Sequence, residues 1–200
     1  MNEAQKISLG HFAHLLVVDL EATCWTDARW PRSDMETIEF GAALVDMAHL
    51  TILDARSWFI RPRVHPELSA FCIDLTGITQ AEVNRGISFE ELQGELTAWL
   101  VPYRERLGWA SWGNYDRYQL EADAARLGLR PPLADTPHVN LKKCFAKCHR
   151  IKGTRPSVRR AMELCGLTFE GRPHRGVDDA RNIARLLPWL LGRSFVETSN

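Results

Sequence analysis

The chain has no long apolar run, since no stretch of its 200 residues approaches the roughly 20 consecutive apolar residues needed to span a membrane. Residues 1–10 lack a basic start followed by an apolar run and a small-residue cleavage site, so we expect no signal peptide. The five cysteines are scattered and odd in number, which is not typical of a disulfide framework. These absences predict a protein of the reducing cytoplasm with no membrane partner.

The sequence also lacks internal repeats, low-complexity tracts and linkers. With 45% hydrophobic residues, its length suits one α/β domain with a substantial core, and two domains would be cramped. We therefore expect an N-terminal extension over residues 1–13, a single domain over residues 14–191 and a polar tail over residues 192–200.

A net charge is missing as well, because the formal charge is zero. The distribution is uneven, however: residues 142–193 carry 13 Lys and Arg against four acids, and residues 1–141 carry 12 basic against 20 acidic residues. A basic C-terminal third suits phosphate contact, and its densest part, residues 142–155, is a candidate track for a nucleic-acid backbone. An ordinary solvated surface explains the same charges equally well.

Hydrophobic patterning predicts three sequential strands, followed by strands that alternate with helices. The predicted strands are 14–20, 37–47, 52–61, 107–112 and 138–141. The predicted helical segments are a turn within 67–73, residues 80–84 capped by Thr79, a helix from 89 capped by Ser88, one from Asn114 or Asp116 to 127, and helices near 142–149, 157–165 and 177–187. This order predicts a mixed five-stranded sheet flanked by helices, with sites at the carboxyl ends of the central strands.

Two acids end the first predicted strand. Alternation along a strand places the side chains of Asp19 and Glu21 on the same face. Two carboxylates this close repel each other, and burial of the strand increases the cost unless a cation lies between them. Magnesium binds through one or two carboxylates together with water and substrate phosphate. A strand end that points into solvent is the simpler explanation for an isolated Asp-x-Glu.

Further acids and a histidine begin two predicted helices. Asp179 falls in the first turn of one helix, where it can stabilise the helix dipole or bind a metal, and helix capping is preferred for its neighbour Asp178. His174 lies on the preceding loop and suits a general base, although alone it would be an ordinary loop histidine. Asp116 begins another helix after a glycine turn, a signal that is weak alone and is then explained by helix capping. Together, carboxylates from several chain segments fit a site in which two cations about 4 Å apart clamp a phosphodiester.

Three segments resemble the signature blocks of the DEDD exonucleases of the histidine type: LVVDLEATCW at 16–25, WGNYDRYQLE at 112–121 and GRPHRGVDDARNIARLL at 171–187. His174 lies five residues before Asp179, as in that subtype. The segment ELSAFCIDLTGITQ at 67–80 is similar to the enhancer-of-RNAi group, which includes the histone-mRNA 3′ exonuclease and Snipper-type nucleases. The resemblance spans about residues 15–190. We expect no SAP-type RNA-binding domain before it, and this expectation puts in doubt the specificity for structured stems that eukaryotic members show.

The resemblance implies an RNase H-like fold and a metal-dependent 3′→5′ exonuclease that releases nucleoside 5′-monophosphates from the 3′ ends of single-stranded RNA or DNA. It implies that two Mg²⁺ ions, with Mn²⁺ as a substitute, are bound by four acids: Asp19, Glu21, Asp116 and Asp179. His174 would be the general base.

The resemblance also implies substrate contacts. Ala22 and Thr23 would lie beside the terminal sugar, and His174 would contact the substrate as well. The terminal base would lie against a turn formed by Leu75, Thr76, Gly77 and Ile78, with Ile78 as a wedge between bases. Bases could stack on Trp25, Phe71 or Trp112, although core packing is the preferred explanation for Phe71 and Trp112.

Other functions stay open at this stage. Cys144, Cys148 and His149 could form part of a zinc site, but small buried cysteines are common in protein cores. A catalytically inactive RNA-binding module of the same fold would have no reason to keep mutually repelling carboxylates. A proofreading subunit of a polymerase would be an enzyme with a different partner. The sequence leaves the oligomeric state open.

Overall fold

A mixed sheet with strand order β3-β2-β1-β4-β5 forms the centre of the computed structural model, which describes residues 9–26 and 30–192. The central strand β1 pairs antiparallel with β2 and parallel with β4, and β3 and β5 lie at the two edges. The predicted mixed five-stranded sheet is therefore confirmed. The strands are β1 His14–Ala22, β2 Thr37–Asp46, β3 Thr51–Phe59, β4 Leu107–Ser111 and β5 His138–Asn140.

Helices cover both faces of this sheet. Thr79 and Ser88 each form a full capping box at the start of a helix, as the sequence predicts for Ser88 and in part for Thr79. In the described ranges no helix is both long and apolar enough to cross a bilayer. The helices are α1 Ala70–Thr76, α2 Gln80–Arg85, α3 Phe89–Leu100, α4 Tyr115–Arg126, α5 Leu141–Cys148, α6 Val158–Leu164, α7 Gly176–Arg185 and α8 Leu187–Leu190, with 3₁₀ turns at Arg32–Asp34 and Val101–Tyr103.

The start and end of α1 differ from the prediction. Its N-terminus is set by Ser69, whose hydroxyl accepts a hydrogen bond from the Cys72 N–H at 3.0 Å. The helix then continues to Thr76 and ends at Gly77, which adopts a left-handed conformation with φ of 67°. The prediction that Leu75 and Thr76 belong to a turn is therefore wrong, because the cap lies later and the helix runs further than the sequence pattern indicates.

Alternate residues of β1 enter two separate cores. Leu15 and Val17 pack with apolar residues of α5, α7 and α8 on one face of the sheet. Leu16 and Val18 pack with α3 and α4 on the other face. A third, smaller cluster lies under α1 and α2 and contains Ile38, Leu68, Cys72, Ile78 and Val83. Burial on both faces fixes β1 in position, and with it the acids at its carboxyl end.

Part of the predicted N-terminal extension packs against the first core. Leu9 is buried there, and Phe12 packs against the same cluster. The predicted domain boundaries at residues 14 and 191 stay predictions. The predicted tail lies outside the described residues, apart from Gly192.

The N-terminus of α7 crosses β2 where two glycines meet, Gly176 on the helix and Gly41 on the strand. A side chain at Gly41 would overlap the backbone of Gly176, and a Cβ at Gly176 would lie 2.7 Å from the carbonyl oxygen of Asp19. Only glycine allows so close an approach of helix and sheet. This approach brings the first turn of α7 to the carboxyl end of β1.

Gly41→Ala is expected to destabilise the protein by about 2–3 kcal/mol, because the added methyl group must push α7 away from the sheet. Turnover should fall as well, since α7 carries Asp179. Gly94→Ala is the matched control: no atom lies within 4 Å of its added Cβ, so the change in α3 should stabilise the protein by about 0.5–1 kcal/mol. Urea unfolding measures both variants, and an equal response would contradict the proposed crossing.

Candidate active site

Three carboxylates meet where β1 ends. Asp19 and Glu21 continue the row of side chains that faces α7, and Asp179 lies in the first turn of that helix. Their ligand oxygens all lie within 4.8 Å of one another. Two of these acids lie two residues apart on one strand, and the third lies 158 residues further along the chain. The fold itself therefore assembles the cluster.

The fourth predicted acid, Asp116, lies in the same cleft but outside this tight group of three. It is only 5% exposed, and its Oδ1 accepts a hydrogen bond from the Leu20 N–H at 3.0 Å. Its helix α4 is tied to β2 by Asp123, whose carboxylate accepts hydrogen bonds from the N–H and hydroxyl of Thr37 at 3.1 and 2.7 Å. The position of Asp116 is therefore held through β1 and β2 together.

Burial raises the pKa values of all four acids, and repulsion from neighbouring acids raises those of Asp19, Glu21 and Asp179 further. Desolvation is the largest cause in each case; it raises the pKa of Glu21 to about 8 and those of Asp116 and Asp179 to about 6. The pKa of Asp19 is raised well above its usual value by burial and then by the charges of Asp116 and Asp179. Such a cluster is unfavourable when ionised and gains stability when a cation neutralises it.

The donor set fits a hard divalent cation. All the ligand atoms are carboxylate oxygens, which Mg²⁺ and Mn²⁺ prefer and which are not typical of a structural zinc site. Asp19, Glu21 and Asp179 would form the centre of the site. The residues present are thus compatible with the predicted metal-dependent chemistry.

The raised pKa values predict how stability depends on pH in EDTA. Glu21 keeps its proton to about pH 8 in the folded state, whereas a glutamate in the unfolded chain ionises at about pH 4. Between these pH values the unfolded state binds fewer protons than the folded state, so the free energy of unfolding falls as the pH rises. Between pH 6.5 and 8 the melting temperature should drop by roughly 3–8 °C. Burial lowers the pKa of His138 to about 4, so this residue makes stability rise with pH at lower pH values. A starting point of pH 6.5 avoids most of this opposing contribution to stability.

Magnesium should reduce this pH dependence by stabilising the ionised cluster, and Glu21→Gln should reduce it without metal. Thermal unfolding followed by circular dichroism measures both effects. A melting temperature in EDTA that stays level or rises between pH 6.5 and 8 would contradict the raised pKa of Glu21.

His174 lies at the edge of the cleft, where its side chain is exposed. Its backbone adopts φ of 63°, a conformation that few residues other than glycine, asparagine, aspartate and histidine tolerate. Its N–H donates a hydrogen bond to Asp179 Oδ2 at 2.8 Å, so the loop and the acid position each other. Asp178 instead accepts the N–H of Arg172 at 2.9 Å, which stabilises the loop and keeps this carboxylate out of the metal cluster.

Glu39 is a buried acid that the sequence interpretation missed. It lies on β2 opposite Glu21 and is fully buried. Its carboxylate accepts hydrogen bonds from the Ser57 hydroxyl at 2.6 Å, the Gly176 N–H at 3.0 Å and the Arg175 side chain at 3.3 Å. Glu39 therefore anchors the chain between His174 and Asp179. An acid inside the apolar run of residues 37–47 is the signal that would have found it.

The acids and His174 open into a cleft of about 700 Å³. Ala22 lines it, and Leu75 lines it with 37% of its surface exposed. Tyr115, which the sequence interpretation did not single out, also lines the cleft and is 47% exposed. Lys142 and Arg159 add positive charge to the wall. The cleft thus combines carboxylates, exposed apolar side chains and cations.

Most of the other predicted substrate residues have buried side chains. Ile78 is fully buried in the cluster under α1 and α2, and Thr76 is buried as well, so neither presents a side chain to a base. The predicted wedge role of Ile78 is inconsistent with this burial, because the added turn of α1 directs Leu75 outward instead. Thr23 is buried, and its hydroxyl accepts the Glu36 N–H at 3.0 Å. Gly77 packs against the guanidinium of Arg172.

The aromatic candidates divide into two groups. Phe71 is 40% exposed, so the preferred explanation that it belongs to the core is wrong. Trp112 is half-buried, packs against Phe145 and donates to the carbonyl of Pro156 at 2.9 Å, but it also lines the cleft. Trp25 lies on the loop after β1 and donates to the carbonyl of Trp30 at 2.8 Å.

Two further candidates from the sequence are the possible zinc site on α5 and the basic stretch at 142–155. Cys144 and Cys148 share one side of α5, but within the described residues they join no metal-ligand cluster of the kind formed by the acids. None of the five cysteines, all in the described ranges, forms a disulfide. Of the basic stretch at 142–155, Lys142 lines the cleft, and the backbone track along this stretch stays a prediction.

Comparisons with known proteins agree with this geometry. The model of the family described as "Exonuclease", of the RNase T type, matches residues 16–187. The human 3′-5′ exoribonuclease 1 is 30% identical over 188 residues, covering 90% of this chain and 53% of the relative. The 3′-5′ exonuclease Snipper of Drosophila melanogaster is 27% identical over 203 residues, covering 92% of this chain and 72% of the relative. The chain therefore spans about half the length of the human relative.

Among solved structures, the nuclease domain of 3′hExo, a DEDDh family member bound to rAMP, superposes with a TM-score of 0.83. It is 28% identical, and the match covers 92% of this chain and 96% of that one. These similarities confirm the predicted RNase H-like exonuclease fold and the resemblance to the histidine-type group.

Proposed function

We propose that this chain, which belongs to the RNase T-type exonuclease family, is a metal-dependent 3′→5′ exonuclease that acts on single-stranded RNA. The observation that carries the proposal is the convergence of Asp19, Glu21 and Asp179 within 4.8 Å, with Asp116 and His174 in the same cleft. A divalent cation is implied by the family and by this donor set. We propose Mg²⁺ as the physiological ion and Mn²⁺ as a substitute.

The roles of the residues follow from their positions. Asp19, Glu21 and Asp179 would hold one or both cations, and Asp116 would complete the second site from α4. When bound, two such ions activate a water molecule and neutralise the phosphate and the leaving 3′ oxygen. The exposed imidazole of His174, which lines the same cleft, would accept the proton of the attacking water as a general base.

Positioning of the 3′ end would come from the apolar part of the cleft. Leu75 and Tyr115 both line it and are exposed by 37% and 47%. A terminal base inserted between them would be held by stacking and apolar contact, without reading its sequence. Lys142 and Arg159 supply charge for the phosphates of the strand. We therefore propose for Leu75 the contact with the terminal base that the family resemblance implies for Ile78.

RNA is the favoured substrate class because the human relative is named an exoribonuclease and the neighbouring structure contains rAMP. We propose single-stranded DNA as a second substrate, because base stacking and phosphate contacts do not depend on a 2′-hydroxyl. The absence of disulfides among the five cysteines supports a reducing compartment such as the cytoplasm.

The direction and product of the reaction test this proposal. Single-stranded RNA with a free 3′-hydroxyl should release nucleoside 5′-monophosphates one at a time, and a 3′-phosphate should block the reaction because it occupies the place of the terminal hydroxyl. Chromatography of the products distinguishes the outcomes. Release of 3′-monophosphates, or equal cleavage of a circular RNA, would contradict an exonuclease. RNA that binds but stays intact with Mg²⁺ and Mn²⁺ would favour an inactive binding module.

A further inference from the structure

We propose that a pocket beside the catalytic cleft holds the base of the penultimate nucleotide. This aromatic pocket is formed by Trp25, Trp30, His65 and Phe71 and encloses about 290 Å³. The inference rests on the proposed function, because it assumes that the 3′ end of a strand lies in the cleft.

The aromatic rings already pack together around this pocket. The Trp25 indole N–H donates to the Trp30 carbonyl at 2.8 Å. The His65 ring centre lies 4.4 Å from that of Trp30 and 5.2 Å from that of Trp25. Trp30 and Phe71 nevertheless keep 44% and 40% of their surfaces exposed. Large aromatic surfaces held in place but left uncovered are suited to stacking with a flat ligand.

Buried polar groups hold the walls of the pocket in place. The Glu36 carboxylate accepts hydrogen bonds from three successive N–H groups, those of Arg63, Val64 and His65, at 2.7–3.1 Å. The Ser69 hydroxyl donates to the carbonyl of Cys24 at 2.6 Å, which ties the start of α1 to the loop after β1. A binding surface formed before the ligand arrives loses less conformational entropy on binding.

The pocket is continuous with the cleft. Cys24 lines both cavities. Phe71 and Leu75 are four residues apart on α1 and therefore lie one above the other on the same side of the helix. Leu75 faces the cleft and Phe71 the aromatic pocket. A strand whose last base contacts Leu75 would pass its preceding base along this side of α1 to Phe71.

Charge favours a base over a phosphate as the occupant. The described residues that line the aromatic pocket include the acid Glu67 and no lysine or arginine. The cations Lys142 and Arg159 line the cleft instead. An uncharged aromatic base stacks on tryptophan and phenylalanine regardless of its identity, which suits an enzyme that shortens strands of varied sequence.

A binding experiment that couples the pocket to one base tests this inference. In an Asp19→Asn background, which preserves the RNA, fluorescence anisotropy compares a short single strand with one that lacks its penultimate base. Trp30→Ala should weaken binding of the intact strand roughly fivefold to a hundredfold and leave binding of the abasic strand unchanged. Affinity for a nucleoside 5′-monophosphate, which reaches only the terminal position, should also stay unchanged.

A control variant, Leu53→Ala, and a second pocket variant, Phe71→Leu, accompany Trp30→Ala in this test. Leu53→Ala removes an apolar side chain of similar exposure, 45%, on the edge strand β3 and should change none of the affinities. Phe71→Leu should reproduce the pattern of Trp30→Ala. Equal weakening of intact and abasic strands, or no weakening of either, would overturn the inference, and the second result is also the one expected if a protein partner fills the pocket. Selective binding in the Asp19→Asn background, combined with no shortening of RNA by the protein that retains Asp19, would overturn the nuclease proposal alone.

Discussion

Asp19→Asn is expected to lower the turnover number by on the order of a thousandfold or more, because it removes a carboxylate from the centre of the cation site. Asparagine has nearly the same shape, so the fold should be retained. In EDTA the variant should even melt at a higher temperature than the wild type, since one of the mutually repelling buried charges is gone. A loss of activity together with a gain in stability separates a metal ligand from a structural residue.

The matched control for this prediction is Glu121→Gln. Glu121 is an exposed acid on α4 that pairs with Arg117 at 2.8 Å, and such surface pairs contribute about 0–1 kcal/mol. Turnover and melting temperature of this variant should stay close to those of the wild type. The assignment of Asp19 would be wrong if both variants kept similar turnover in Mg²⁺, or if Asp19→Asn unfolded the protein.

His174→Asn is expected to lower the turnover number by roughly a hundredfold to ten-thousandfold, the usual contribution of a general base. Asparagine tolerates the positive φ of this position, so the N–H that donates to Asp179 should stay in place. Binding of Mn²⁺, measured by calorimetry, should therefore be unchanged. This combination would separate proton transfer from metal binding.

His174→Ala serves as a contrast, because alanine in a left-handed conformation costs about 1–2 kcal/mol. It should lose stability as well as turnover, and the asparagine variant should lose turnover alone. Retention of more than about a tenth of the wild-type turnover by His174→Asn would exclude the imidazole as the principal base.

The clustering of Asp19, Glu21 and Asp179 follows from the sequence because their geometry is local or set by simple topology. Alternation along a buried strand places Asp19 and Glu21 on one face without further information. Asp179 follows from the first turn of α7, and the carboxyl end of the central strand is where sites form in such sheets. The close crossing at Gly41 and Gly176 needs three-dimensional contact and is not visible in either segment alone.

The side chains that line the apolar part of the cleft are harder to predict, because a small change in a helix boundary changes the direction in which the side chains of that helix point. The cap at Ser69 starts α1 later than expected, and the helix continues to Thr76 before Gly77 ends it, so it includes Leu75. Leu75 then points into the cleft, and Ile78 packs under the helix. Tyr115 was overlooked because its neighbour Asp116 accounted for the start of α4.

Glu39 shows a second limit of sequence interpretation. Its partner Arg175 lies 136 residues away, and the strand around it reads as an apolar run. A buried carboxylate needs partners, so an acid in such a strand predicts an interaction without identifying where in the chain the partner lies.

The most direct test of the central claim is incubation of the purified protein with 5′-labelled single-stranded RNA in Mg²⁺ or EDTA, beside Asp19→Asn. We expect a ladder of products that shorten from the 3′ end in Mg²⁺, no products in EDTA and almost none with the variant. Intact RNA in Mg²⁺ and Mn²⁺, or a ladder that persists with Asp19→Asn, would contradict the assignment of this acidic cleft as the catalytic centre of a nuclease.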